Sequence, residues 1–244
     1  MSAIEVLKVN NEVDVKGRLE KIKSKGYWHV NIRPIEFEER RIESLDRCWD
    51  VVESCSVYLR GWPYPYYPRV DEREKASRDD DWVQSSIDFN GIVELWRFYQ
   101  SGQFIHYFSC LEDYRINEAG IYKPMIASRG LSILSTLYRI TEIYEFTTRL
   151  ALKNVFQDAV QISIKLVGMK DRELFEWNRM APLKRISKDD EIVIESRLSV
   201  LNLIASAHDE AINKTMEVYS HFGLTDYPRM LLSSDQKRLL EKRL

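Results

Sequence analysis

Cysteine is scarce in this chain, with three in 244 residues, at Cys48, Cys55 and Cys110. An odd count without a CxxC pair excludes a disulfide scaffold and fits free thiols in a reducing compartment. Cys48 and Cys55 stand seven apart, two helical turns, so they share a face and read as small buried apolar side chains. Histidine is nearly as scarce: His29, His106, His208 and His221 form no HxH or HExxH pairing, and no metal centre is assigned. His208 reads as a satisfied core histidine, because it falls on the apolar stripe of a helix. Charge of one sign is missing too. Lys plus Arg is 36 against 38 Asp plus Glu, a formal net charge of −2, which excludes attachment to nucleic acid by bulk positive charge.

No window approaches the roughly 20 apolar residues that span a bilayer, and no apolar run of signal-peptide length opens the sequence. The expectation is a soluble, cytoplasmic protein without membrane association. Seven prolines, nine glycines and no Ser/Gly-rich linker predict two closely packed parts rather than separate beads. GxSxG, GxGxxG and GxxxxGK[ST] are all absent, so no catalytic residue and no cofactor is assigned. Ser128–Ser132 before a helix is the nearest approach to an anion site and reads as a cap.

What is present is strong periodicity. Trp28, Val30 and Ile32 alternate with His29, Asn31 and Arg33 before Pro34, which predicts a strand. Ile42, Leu45, Cys48, Trp49 and Val52 repeat at helical spacing up to Cys55. A short strand is expected at Ser56–Gly61. Leu131–Lys153 reads as a long helix, Gln157–Val167 as a half-buried strand, and Glu191–Leu198 as its antiparallel neighbour. Lys170–Lys188 is irregular around Pro182. The stripe Leu201, Ile204, Ala205, His208, Ala211, Ile212, Thr215, Met216, Tyr219 and Phe222 predicts the strongest helix, packed against Leu131–Lys153 and stopped by Gly223. A short final helix is expected after Ser234 and Asp235. Val13–Ile22 reads as an edge strand or ordered arm, and Asp71–Asp81, DEREKASRDDD, as a solvated loop.

Ile92–Tyr99 and Gln103–Cys110 flank Ser101-Gly102 and read as a hairpin. With Ser101 and Gly102 as a two-residue loop, Trp96 pairs with Tyr107 on a buried face, and Arg97 meets His106 on the other beside Tyr99 and Phe104. The elements do not alternate as in a parallel βαβ protein, so the fold class is α+β. The expected arrangement is a small mixed sheet with a helix and the aromatic-rich hairpin in residues 1–120. Residues 121–244 are expected to be helix-rich with a β-pair.

Nineteen of the 28 aromatic residues lie between Tyr27 and Tyr122, so a binding surface is sought there. Trp62-Pro63-Tyr64-Pro65-Tyr66-Tyr67-Pro68 cannot form helix or central strand, and its rings cannot all turn inward. Rigid rings beside arginines suit stacking and cation–π recognition. The candidate ligand-binding residues are therefore Arg60, Trp62, Tyr64, Tyr66 and Arg69, with Arg97 and His106 as a second pair. The function these imply is a non-catalytic binding or assembly module for a protein partner or a small anionic or aromatic ligand. Any apolar edge left over on the helices is assigned to a homodimer. Two alternatives stand beside it: nucleic-acid binding through stacking rings and local arginines, and a metal-dependent nuclease-like enzyme using carboxylates at Asp189, Asp190 and Glu195. The latter is the weaker, since Arg197 stands where such sites carry a lysine.

Overall fold

The computed structural model describes residues 15–67, 79–89, 92–114, 130–176 and 184–242. Arg69, Pro182 and most of the expected loops Asp71–Asp81 and Asn117–Gly130 lie outside the described residues.

Alternation builds the sheet. Trp28, Val30 and Ile32 of β1 (Tyr27–Pro34), Val160, Ile162, Ile164 and Leu166 of β8 (Ala159–Val167) and Ile192 and Ile194 of β10 (Glu191–Ser199) are all buried on one face. With β4 (Trp82–Phe89), β5 (Ile92–Tyr99) and β6 (Phe104–Ser109), these strands form one six-stranded sheet in the order β10-β8-β1-β6-β5-β4. Every neighbouring pair in it is antiparallel. β1 sits centrally, so the expected C-terminal β-pair, β8 and β10, is hydrogen-bonded into the same sheet as the aromatic hairpin. Two small ladders complete the strands: β2 (Val57–Tyr58) with β3 (Pro63–Tyr64), and β7 (Gly130–Ser132) parallel to β9 (Glu173–Phe175).

Helices α2 (Leu45–Cys55), α3 (Ile133–Leu152) and α4 (Val200–Ser220) cover the buried face, and α5 (Arg229–Leu240) packs outside α3 and α4. The fold is thus α+β. α2 is capped by the Ser44 hydroxyl, which accepts from the Arg47 N–H, and buries Cys48, Trp49, Val52 and Cys55. Burial pushes the Cys48 thiol up to about 12 and Cys55 up to about 11, as inert core thiols require. Ser132 caps α3 at its Ser135 N–H. Gly26, just before β1, admits no side chain. An added Cβ would lie 2.1 Å from Nη2 of Arg172, whose guanidinium makes two bonds, 2.8 and 2.5 Å, to buried Asp113.

Four expectations are corrected. The segment read as an edge strand or arm is a helix, α1, over 15–23. Val15, Leu19 and Ile22 fall on one helical face and pack on Val93, Leu95, Tyr27 and Tyr107 across the outer face of the sheet. The hairpin register is shifted by one: Trp96 pairs with His106, Arg97 with Ile105 and Phe98 with Phe104. Gly102 adopts φ +83° and donates to the Tyr99 carbonyl, and the Tyr99 N–H reaches Gln103, giving a three-residue loop closed by a left-handed glycine. α4 is kinked at Ser206 (φ −137°, ψ 16°), whose hydroxyl donates back to the Asn202 carbonyl. The kink turns Leu203 and Ala207 inward, while Leu201 is 79% and Ile204 43% exposed. His208 is likewise exposed, bonded to Glu145 at 3.2 Å rather than held in the core. Last, α5 begins at Arg229, five residues before the expected cap. Strand β4 had no counterpart in the sequence reading.

Beyond the kink the α3–α4 packing is as expected. The Tyr219 hydroxyl donates to the Ile133 carbonyl at 2.7 Å, and Ile212 is buried. Ile212→Ala should cost roughly 2–5 kcal/mol, whereas Leu201→Ala should fall within about 0.5 kcal/mol of the parent. Urea unfolding of the two variants checks the phase of the helix directly.

Candidate functional site

The β2–β3 ribbon lies over the helix-covered face of the sheet, and the Trp–Pro–Tyr segment is part of it. Val57 pairs with Tyr64 and Tyr58 with Pro63. The Tyr64 ring is fully buried, 5.3 Å from the His106 ring and 6.0 Å from Phe146 of α3. Trp62 is half-buried and stacks on Tyr66 at 5.2 Å and on Phe89 at 6.4 Å, the latter 54% exposed. The Trp96 indole N–H donates to the Tyr66 carbonyl at 2.6 Å and fixes the end of the ribbon to β5.

Under the ribbon lies a charged group that the sequence reading did not single out. Glu94 of β5 is buried, and one carboxylate oxygen accepts the Trp62 indole N–H at 3.1 Å. The other is bonded to Nε2 of fully buried His106 at 2.8 Å. Burial works to raise the Glu94 carboxyl, but the His106 and Trp62 hydrogen bonds and the positive charge of Arg139 more than offset it and hold it below the usual range. Burial holds His106 below its ordinary value against the pull of Glu94. The pair is therefore a carboxylate accepting from a neutral imidazole. His106 Nδ1 and the Tyr64 hydroxyl are buried without a hydrogen-bond partner among the described residues.

A second carboxylate, Glu142 of α3, is also buried. It takes two bonds from Arg60, 2.9 and 2.6 Å, and one from Arg139 at 3.3 Å. Arg139 lies over the Phe108 ring at 4.7 Å and the Tyr64 ring at 5.5 Å. Both arginines keep about a fifth of their side-chain surface exposed, 23% for Arg60 and 22% for Arg139. Two arginines thus balance two buried glutamates, and the partly exposed members of the group are the Arg60 and Arg139 side chains and the Trp62 ring stack.

Of the residues nominated from sequence, Arg60, Trp62, Tyr64, Tyr66 and His106 come together here. Arg97 does not. The corrected register places it on the opposite face of the sheet, its guanidinium 3.8 Å from the Trp82 ring and bonded to Gln84 at 2.8 and 3.0 Å. The expected Arg97–His106 pair is therefore not formed. Glu94, Arg139 and Glu142 were missed. Glu94 was findable from the phase it shares with Trp96 and Phe98 on β5, and Arg139–Glu142 from a charged i, i+3 pair inside an apolar helix.

The carboxylates considered for a nuclease lie apart from this group. Asp189 bonds His221 at 2.7 Å, and Glu195 points from the exposed side of β10. Among the described residues no group of three or more His, Cys, Asp or Glu could hold a metal ion, and no helix is long and apolar enough to cross a membrane. Comparison with protein-family models, curated proteins and solved structures finds no match to this chain.

Removing His106 would leave Glu94 buried without its closest donor, so His106→Ala should cost about 3 kcal/mol. Both members of the pair have folded values below their unfolded ones. Their contribution is therefore complete at neutral pH. The share from His106 fades as pH falls below its ordinary value of 6.5, and that of Glu94 fades at lower pH as the carboxylate protonates. Thermal unfolding followed from neutral to mildly acid pH should show a falling midpoint, and His106→Gln should flatten its first part.

Proposed function

We propose that the protein is a binding and assembly module, and that the surface formed by Arg60, Trp62, Tyr66, Phe89 and Arg139 is where it meets a small anionic, aromatic ligand or a protein partner. The observation that carries this reading is the three-ring stack Phe89–Trp62–Tyr66, held by a buried carboxylate and edged by the side chains of Arg60 and Arg139, each about a fifth exposed. A surface stack in which Phe89 is exposed and Trp62 and Tyr66 are half-buried leaves apolar area for a partner to cover, and guanidinium planes beside such rings select an anion or a second ring. Tyr64 and His106 support the surface from beneath and are too buried to touch a ligand. Arg69 adjoins this segment in sequence and belongs to the proposal on that ground alone.

The same proposal keeps residues 1–120 and 121–244 as two closely packed parts, joined through the β1–β8 ladder of the shared sheet, and a cytoplasmic location. Leu152, Leu201 and Ile204 are exposed where the C-terminus of α3 meets the N-terminus of α4, and they are the face assigned to a homodimer. Sedimentation of Leu201→Lys against the parent tests that assignment.

The small-ligand form is tested by thermal shift against aromatic carboxylates and nucleoside monophosphates. At least one should raise the midpoint of the parent, and Trp62→Ala should lose the response while remaining folded, because a stacked ring contributes about 1–3 kcal/mol to binding. Equal responses in parent and variant would remove Trp62 from the site, and no response from any compound would leave only the protein-partner form.

A further inference from the structure

The outer face of the sheet carries a second surface, with different chemistry. α1 covers its lower corner, over Val93, Leu95, Tyr27 and Tyr107. What α1 leaves open can be read from the register. Arg197 of β10 pairs with Gln161 of β8, Gln161 with Arg33 of β1, and Trp82 of β4 with Tyr99 of β5. These residues lie in one row across the sheet, and Arg97 stands in the next. The polar groups are tied together: Arg33 donates to Gln161 at 2.7 Å, and Arg97 donates to Gln84 while lying flat on Trp82 at 3.8 Å. Solvated sheet faces are usually lined with lysine, glutamate and threonine. This one presents guanidinium planes, side-chain amides and half-buried rings. In these two rows Arg33, Arg97 and Arg197 stand with one carboxylate, Glu195, while Glu191 farther along the same face is paired with Lys165 at 3.2 Å.

We infer that this stripe is a binding site for single-stranded nucleic acid. Five strand spacings give it a length of about 24 Å. Arginines at Arg197, Arg33 and Arg97 are placed along it to contact phosphates, and Tyr99 and the Arg97–Trp82 stack offer flat surfaces to unpaired bases. A duplex cannot use such rings, because its bases are already stacked on one another. The local excess of arginine supplies attraction that the net charge of the chain does not. The site lies on the side of the sheet away from Trp62 and is independent of the surface proposed above.

Fluorescence anisotropy of labelled oligouridylate and oligothymidylate tests the inference, with a duplex of the same length as the third arm. At low salt one or both single strands should bind with a dissociation constant on the order of 10 µM, more tightly than the duplex. Three phosphate contacts should give a log–log salt slope of about −2, and Arg33→Ala should reduce it by about 0.7. Tyr99→Ala and Trp82→Ala should each weaken binding roughly 5- to 100-fold. Arg33→Glu and Arg197→Glu change only exposed side chains, so they should fold as the parent does and lose most of the affinity. Lys237→Glu, on exposed α5 in the helical layer, should bind within about twofold of the parent. No binding at low salt, equal binding by the stripe variants and the parent, or preference for the duplex would each overturn the assignment.

Discussion

A carboxylate buried under aromatic rings is the constraint from which much of this structure follows. Glu94 stands in β5 between residues that must face the core, Trp96 on one side and the ribbon on the other. A lone ionised carboxylate there would be expelled, or protonated, at a cost of several kcal/mol. Two donors prevent it. His106 reaches Glu94 only if β6 turns its Phe104–His106–Phe108 face inward, and Trp62 reaches it only if the β2–β3 ribbon folds down over the sheet. One side chain thereby couples hairpin register to the placement of the ribbon. The Glu142 group does the same from the helical side, drawing Arg60 of the ribbon and Arg139 of α3 to one point.

This coupling explains what could be read from the sequence and what could not. Strands β1, β8 and β10 were legible because each has one apolar and one polar face, and only one phase buries the apolar side chains. β6 reads Phe-Ile-His-Tyr-Phe, in which either phase offers large apolar groups, so periodicity is silent and the loop decides. The three-residue loop closed by Gly102 chose the face that includes His106, and that choice is tolerable only because Glu94 sits opposite. β4 escaped notice because Ser85 occupies an inward position where an apolar residue would have announced a strand. In α4 the apolar spacing is sound on both sides of Ser206, but the two halves are out of phase with each other, and a kink is not visible in a helical stripe.

The candidate site was legible in part for the same reason. The Pro–Tyr segment could be recognised as extended and ring-rich from local rules alone. Which of its rings face outward depends on Glu94, Arg139 and Glu142, which come from β5 and α3, far from the segment in sequence, so no rule local to the segment reveals them. A one-residue change of register moves Arg97 from beside His106 to the opposite face of the sheet. Once the register is right, Arg97 joins Arg33 and Arg197 on the outer face, and the sheet separates two surfaces. Rings pinned by buried charge occupy one side, and guanidinium groups and amides occupy the other.

Glu94 couples the ribbon to the sheet, and a double-mutant cycle between Trp62 and Glu94 measures that coupling. Trp62→Phe removes the indole donor while keeping a ring, and Glu94→Gln removes the charge while keeping the shape. Urea unfolding of the two single variants and the double should give a coupling of about 1–2 kcal/mol, the part of a charge-assisted hydrogen bond that a neutral amide acceptor does not replace. Additive effects, with a coupling of zero, would show that the charge of Glu94 does not hold the ribbon.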